Sequence, residues 1–315
     1  MRKITIIGAG NVGATIAYTL AVEGVANEIL IIDIKKEKAE GEAMDIRQGA
    51  PFFPGSQVYA GDYCDAVNSD IVIITSGVAR KPGQSRLDLA QTNVSIMCSI
   101  AKQITQYAPD AIYLVVSNPV DVMTYVLNKV TNIPERHIIG SGTSLDTARL
   151  RSYLSAHFDI SQQNIHAHVF GEHGDSSFVP WSQATISTVG LDEFTQSFLD
   201  EAHQEIPPID REEVERHVKT SGAEIINRKG ATFYAVALSA VNICKCIFSG
   251  NDTALTVSTM MHGEYGIDDV CLSMLTIIGN QGVKARIPSD LTPEEEDKLR
   301  HSASCLRAVI DQINF

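Results

Sequence analysis

The chain has 315 residues, 44% of them hydrophobic, and a formal net charge of −13 from 25 basic and 38 acidic side chains. That length buries a sizeable core, in one large domain or about two. The acidic balance argues against nucleic acid or an anionic membrane as the main partner, yet leaves room for an anionic small molecule held by a few buried arginines.

Met1, Arg2 and Lys3 precede an apolar run, but Gly8, Gly10 and Gly13 interrupt it and no small-residue cleavage site follows, so it does not read as a signal peptide. No apolar run approaches the roughly 18 residues of a membrane span. The cysteines Cys64, Cys98, Cys244, Cys246, Cys271 and Cys305 are scattered and match no zinc or redox spacing. Free thiols in a reducing cytoplasm are therefore the expectation.

Residues 4–7, 29–33, 71–75 and 111–117 are β-branched and almost wholly apolar, as suits parallel strands buried on both faces. Helical stretches at 12–22 and 87–107 lie between them. This βαβ order predicts an α/β fold: a doubly wound parallel Rossmann sheet over residues 1–141. Residues 142–315 read differently, as an α+β catalytic domain. There the patterning predicts a helix through 146–158, a strand at 165–170, a charged helix at 211–227 and an apolar one at 232–249. Strands at 255–261 and 270–278 and a C-terminal amphipathic helix at 293–313 complete it.

Gly8-Ala9-Gly10-Asn11-Val12-Gly13 follows the first strand and opens the first helix. Gly8 permits the tight turn, Gly10 lets backbone approach a pyrophosphate, and Gly13 lets the helix pack on the sheet. The helix N-terminus offers free N–H groups and partial positive charge. A glycine turn alone also fits a flavin site or a purely structural turn. Asp33, twenty residues after Gly13, narrows the choice. An acid there accepts from a ribose 2′-hydroxyl and repels a 2′-phosphate, which favours NAD over NADP.

Three further segments carry what carbonyl reduction needs. Gly171-Glu172-His173-Gly174-Asp175 is a strand end with a glycine-flanked histidine. Leu145-Asp146-Thr147-Ala148-Arg149 sets an acid and a base three apart on one helical face. Arg80-Lys81-Pro82-Gly83-Gln84-Ser85-Arg86 is a polar loop with a Pro-Gly turn. Taken singly, each has a plain structural reading: a satisfied histidine, a surface ion pair, a solvated charge. His166, His168 and His173 could be imagined as a metal cluster, but no acid or thiol spacing supports one, so no metal is expected.

With Ser117-Asn118-Pro119 added, the ordered set of motifs resembles the L-lactate/L-malate dehydrogenase family over essentially the whole chain. The resemblance implies reversible, NAD-dependent reduction of a small 2-oxo acid to the L-2-hydroxy acid. It implies that His173 is the acid–base and that Asp146 orients it. Arg86 would polarise the carbonyl as its loop closes, and Arg149 would grip the substrate carboxylate bidentately. Asn118 would sit between carbonyl and nicotinamide, and Thr232 would line the pocket by the substrate side chain. Gly8, Gly10, Asn11, Val12, Gly13, Asp33, Gly77 and Asn118 would hold the cofactor. The family further implies a homotetramer, or a dimer in equilibrium with one. A protein that binds NAD but has lost catalysis is the remaining alternative class, although His173, Asp146 and Arg149 are all present.

Substrate choice falls to the loop. The position six before Arg86, which in the family faces the substrate's third carbon, is Arg80. Malate dehydrogenases carry arginine there and lactate dehydrogenases a glutamine-like residue. The surroundings point the other way: Leu87 and Ser176-Ser177 look like a lactate dehydrogenase. Arg151 and His166 match the positions at which bacterial lactate dehydrogenases bind fructose 1,6-bisphosphate across a subunit interface. The expectation is a lactate dehydrogenase scaffold that Arg80 opens to oxaloacetate, with malate dehydrogenase proper as the alternative.

Overall fold

The computed structural model describes residues 1–78, 86–197 and 207–315, with the side chains of Arg86 and Ser197 left aside. Along the first half run β1 (Lys3–Ile7), α1 (Asn11–Val22), β2 (Glu28–Ile32), α2 (Lys36–Gln48), β3 (Gln57–Ala60) and β4 (Ile71–Ile74). Then come α3 (Arg86–Ile104), β5 (Ile112–Val115), α4 (Val120–Val130) and β6 (Ile138–Gly140). The second half holds α5 (Ser144–Phe158), β7 (Ile165–His166), β8 (Thr185–Ile186), β9 (Val189–Gly190), α6 (Leu191–Ser197), α7 (Arg211–Lys229) and α8 (Tyr234–Ser249). β10 (Thr253–His262), β11 (Asp268–Gly279), β12 (Gly282–Arg286) and α9 (Pro293–Ile310) close it.

Every residue of β1, β4 and β5 is buried, because helices cover both sheet faces. The parallel strands stand in the order β3-β2-β1-β4-β5-β6, the doubly wound arrangement expected of the first half. The order reverses between β1 and β4, and a ligand crevice opens beyond the carboxyl ends of strands at such a switch point. The sheet then continues into the second half: β10 pairs antiparallel with β6 through Ser258 and Gly140, and β11 and β12 follow as antiparallel neighbours. One nine-stranded sheet thus carries both halves.

Helix boundaries follow their caps. α7 starts where the Asp210 side chain accepts from the Glu213 N–H and stops at left-handed Gly230, two residues beyond the expected end. α9 begins with a Thr292–Glu295 capping box and Pro293 in its first turn, and Leu299, Ser302, Ala303, Leu306 and Ile310 face the core.

The strand expected at 165–170 is a correction. Only Ile165 and His166 pair, in the small β7-β8-β9 sheet, while Phe170 makes an isolated bridge to Phe178. The intervening backbone is taken by side chains of α5. Arg151 Nε donates to the Ala167 carbonyl at 3.0 Å, and the Val169 N–H donates to Thr147 Oγ1 at 3.0 Å. The segment is extended and apolar, yet its hydrogen bonds tie it to a helix. Among the described residues no helix is long and apolar enough to cross a membrane.

Candidate active site

Gly8 sits at φ +116°, where a side chain is strained, and a Cβ there would lie 2.6 Å from Thr75 Oγ1. A Cβ on Gly13 would lie 1.8 Å from the Gly8 carbonyl oxygen, so only glycine lets α1 seat on this turn. At Gly10 a Cβ would meet nothing within 4 Å, leaving the backbone open to a ligand. Gly10 caps α1 without any side-chain hydrogen bond, so no cap side chain screens the first-turn N–H groups of Asn11, Val12 and Gly13 from an incoming anion. Asp33 ends β2 beside this turn. Its Oδ2 accepts from the Ala9 N–H at 2.7 Å and its Oδ1 from the Lys35 N–H at 2.8 Å. That fixes a carboxylate at the edge where a ribose diol would lie, so these residues fit a dinucleotide.

Two loops at the strand ends complete the crevice. Gly77 lies after β4 and Asn118 after β5, and Asn93 of α3 joins them. Asn93 Oδ1 accepts from the Val78 N–H at 2.9 Å, and its Nδ2 donates to the Asn118 carbonyl at 2.8 Å. Asn93 is buried, and nothing in its sequence neighbourhood marks it. Its role comes from a helix lying across two loops. The Asn118 side chain itself is exposed to the crevice.

The Asp146–Arg149 pair is no surface pair. Only 7% of the Asp146 side chain and 15% of that of Arg149 are exposed, and Arg149 Nη1 donates to Asp146 Oδ1 at 2.9 Å. The other oxygen, Oδ2, lies 2.5 Å from His173 Nδ1. One carboxylate therefore binds both the guanidinium and the imidazole, and a quarter of the His173 side chain remains exposed. Among the described residues His173 Nε2 has no hydrogen-bond partner, which leaves it to face a substrate.

The electrostatics follow from this geometry. Burial pushes the Asp146 carboxyl upward, but the charges and hydrogen bonds of His173 and Arg149 win and hold it below the usual carboxylate range. Burial pushes the His173 imidazole downward, but Asp146, with a further contribution from Asp121, holds it above its ordinary value. Arg149 opposes that rise. The proton affinity of the histidine is thus raised while Nδ1 is committed to Asp146.

Gly222 of α7, not singled out by the sequence, faces Arg149: a Cβ there would stand 3.4 Å from Nη2. Asp121 of α4 was equally silent in the sequence and accepts from the His173 backbone N–H at 2.8 Å. Thr232 is half-buried in the α7–α8 connection. Arg80 lies outside the described residues, and Arg86 is described only as the first residue of α3. Arg151 and His166 are not brought together within one chain. Arg151 turns to the His168 ring at 3.3 Å, whereas His166 is exposed on β7. Burial, with the charge of Arg151, pushes the His168 imidazole down to about 4, so it stays neutral beside the guanidinium. No group of three or more His, Cys, Asp or Glu among the described residues could hold a metal ion.

A doubly wound sheet with an uncapped glycine turn and a ribose-side acid, opening toward a buried imidazole–carboxylate–guanidinium chain, defines a nicotinamide-dependent oxidoreductase. The chain belongs to the lactate/malate dehydrogenase family: the family's NAD-binding domain model matches residues 2–140 and its alpha/beta C-terminal domain model matches residues 143–314. It is an NAD-dependent L-2-hydroxy acid dehydrogenase, and its substrate is a small 2-oxo or 2-hydroxy acid. The L-lactate dehydrogenase of Acetivibrio thermocellus is 43% identical over 315 residues, covering 100% of this chain and 98% of that one. The L-lactate dehydrogenase of Clostridium perfringens is 44% identical over 309 residues, covering 98% of this chain and 96% of that one. Among solved structures, a lactate dehydrogenase from a Medee basin deep-sea metagenome library superposes with a TM-score of 0.95 at 37% identity, covering 100% of both chains. The minor L-lactate dehydrogenase of Enterococcus mundtii gives 0.94 at 36% identity, covering 100% of this chain and 99% of that one.

Proposed function

We propose that this chain interconverts pyruvate and L-lactate, and that Arg80 also admits oxaloacetate. The observation that carries the reading is the shared carboxylate of Asp146, which binds His173 on one oxygen and Arg149 on the other. It sets a proton donor and a carboxylate clamp on one buried support. NAD, when bound, supplies and accepts the hydride. Every other task falls to the chain. His173 delivers a proton from Nε2 to the carbonyl oxygen, and Asp146 fixes the tautomer and stabilises the imidazolium. Arg149 holds the substrate carboxylate through guanidinium nitrogens not used on Asp146. Asn118 contacts the carbonyl side from its loop, Thr232 borders the substrate side chain, and Arg86 polarises the carbonyl when its loop excludes water.

The relatives' names favour lactate, and Arg80 favours a second carboxylate. Two charges about 4 Å apart at an effective dielectric of 20 attract by about 4 kcal/mol, enough for roughly a thousandfold difference in transition-state binding. NADH oxidation measured with pyruvate and with oxaloacetate tests this. Arg80→Gln is expected to cut oxaloacetate turnover by about two to three orders of magnitude and leave pyruvate turnover within a few-fold. Unchanged oxaloacetate turnover would remove Arg80 from the specificity role. Efficient oxaloacetate turnover with negligible pyruvate turnover would make the chain a malate dehydrogenase proper.

The same proposal includes a homotetramer with an anionic effector site at its interface. Tyr18 and Val22 of α1 and Tyr234 and Leu238 of α8 are exposed apolar side chains on two helices that pack together, a surface suited to a second copy. Arg151 and neutral His168 line a cavity of about 460 Å³, with His166 outside its wall. Fructose 1,6-bisphosphate bridging Arg151 of one copy and His166 of another is expected to lower the half-saturating pyruvate concentration and stabilise the larger species in sedimentation. Replacing both residues should abolish both effects. An unaltered saturation curve at millimolar effector would leave the two residues structural.

A further inference from the structure

We propose that Asp121 is a second carboxylate positioning residue for His173: it holds the histidine's backbone N–H from the first turn of α4 and lends the imidazole its charge. This rests on the reading of His173 as the acid–base.

Asp121 is 2% exposed. Its Oδ2 accepts from His173 N at 2.8 Å, whereas its buried Oδ1 has no hydrogen-bond partner among the described residues. The buried Ser258 hydroxyl of β10 favours the ionised carboxylate without completing a bond of normal geometry, so it too is unpaired among the described residues. A buried carboxylate with an orphan oxygen is a costly way to hold one N–H. An asparagine in the same place would accept from the same N–H and could donate its amide to Ser258. What the acid alone contributes is negative charge beside an imidazole that must carry a proton.

The groups around the pair all bear on that charge. Asp146 and Arg149 face His173 from α5, Glu172 lies in its own loop, and Asp121 faces it from α4. Asp121 in turn meets Glu172 and His173 from the loop, Ser258 from β10 and Cys271 from β11. Burial pushes the Asp121 carboxyl up to about 6, against the opposing pull of Ser258 and His173. It therefore ionises as pH rises through the range in which an unsupported imidazole would release its proton. The charge arrives where it extends the working range of the acid form.

The test uses the full chain with NADH and pyruvate, recording kcat/KM from pH 5 to 9 and the melting temperature at each pH. Asp121→Asn is expected to move the alkaline limb of pyruvate reduction down by about one pH unit, because His173 loses one of the two charges that raise its proton affinity. The folded-state value of Asp121 is raised, so its contribution to stability is complete at low pH and lost as pH rises through about 6. The asparagine variant should therefore melt higher than the parent at pH 8, as removal of any buried carboxylate of raised value would give, and the moved limb is the readout that a merely structural carboxylate would not change. Ser258→Ala withdraws support from the Asp121 anion and should move the same limb in the same direction by a smaller amount, which serves if the asparagine variant does not fold. His173→Gln is measured in parallel. An unmoved limb in both variants, with His173→Gln inactive, overturns the proposal and keeps His173 as the acid–base. An active His173→Gln enzyme overturns the acid–base reading and this proposal with it.

Discussion

Replacing His173 with glutamine is expected to lower kcat/KM for pyruvate by up to about 10⁴-fold, close to 5.5 kcal/mol of transition-state stabilisation. Glutamine roughly fills the volume and can donate an amide hydrogen to Asp146, but it cannot transfer a proton to the carbonyl. The loss should fall on kcat. NADH binding, followed by fluorescence titration, should be nearly unchanged, because the described hydrogen bonds of Asp33 go to the glycine turn and Lys35 and those of His173 to Asp121 and Asp146. The fold should also survive. Asp146 keeps its pairing with Arg149 at 2.9 Å, so no buried carboxylate is left bare. A loss smaller than tenfold would transfer the proton to another group.

The second large effect is expected at Arg149. Arg149→Met removes a clamp whose side chain is 15% exposed and also strips one partner from Asp146. Truncating one member of a buried charge pair costs about 2–5 kcal/mol, so kcat/KM for pyruvate should fall by about 30- to 5,000-fold, with KM carrying much of the change. The pH profile has a definite sign. The Arg149 charge opposes the rise in His173 proton affinity, so its removal should move the alkaline limb of pyruvate reduction upward. Arg149→Lys retains the charge without the planar fork, and should keep the limb in place while recovering little of the KM. A methionine variant with normal KM would show that the substrate carboxylate is held elsewhere.

The first half of the chain was legible for a physical reason. A strand buried on both faces has no polar alternative, so the apolar runs that became β1, β2, β4 and β5 declared themselves, and the glycine turn between β1 and α1 is dictated by contacts shorter than any side chain allows. The segment at 165–170 was misjudged because extended, apolar chain looks the same whether its hydrogen bonds go to strands or to Thr147 and Arg151 of a helix. β6 is only three residues long, and the union of the two halves through Ser258 and Gly140 is a long-range pairing that no local pattern encodes.

The amino-acid sequence by itself determined the chemistry on offer: a dinucleotide turn, a ribose-side acid, and an imidazole, a carboxylate and guanidinium groups in a set order. These are properties of residue type and short spacing. Tertiary structure alone decided how those groups act on one another. Asp146 became a shared anion because α5 turns one oxygen to Arg149 and the other to His173, Asn93 became a strut because α3 crosses two loops, and Asp121 met His173 across 52 residues of chain. Proton affinity depends on distance and desolvation, and both are set only when the sheet brings distant segments to the same crevice.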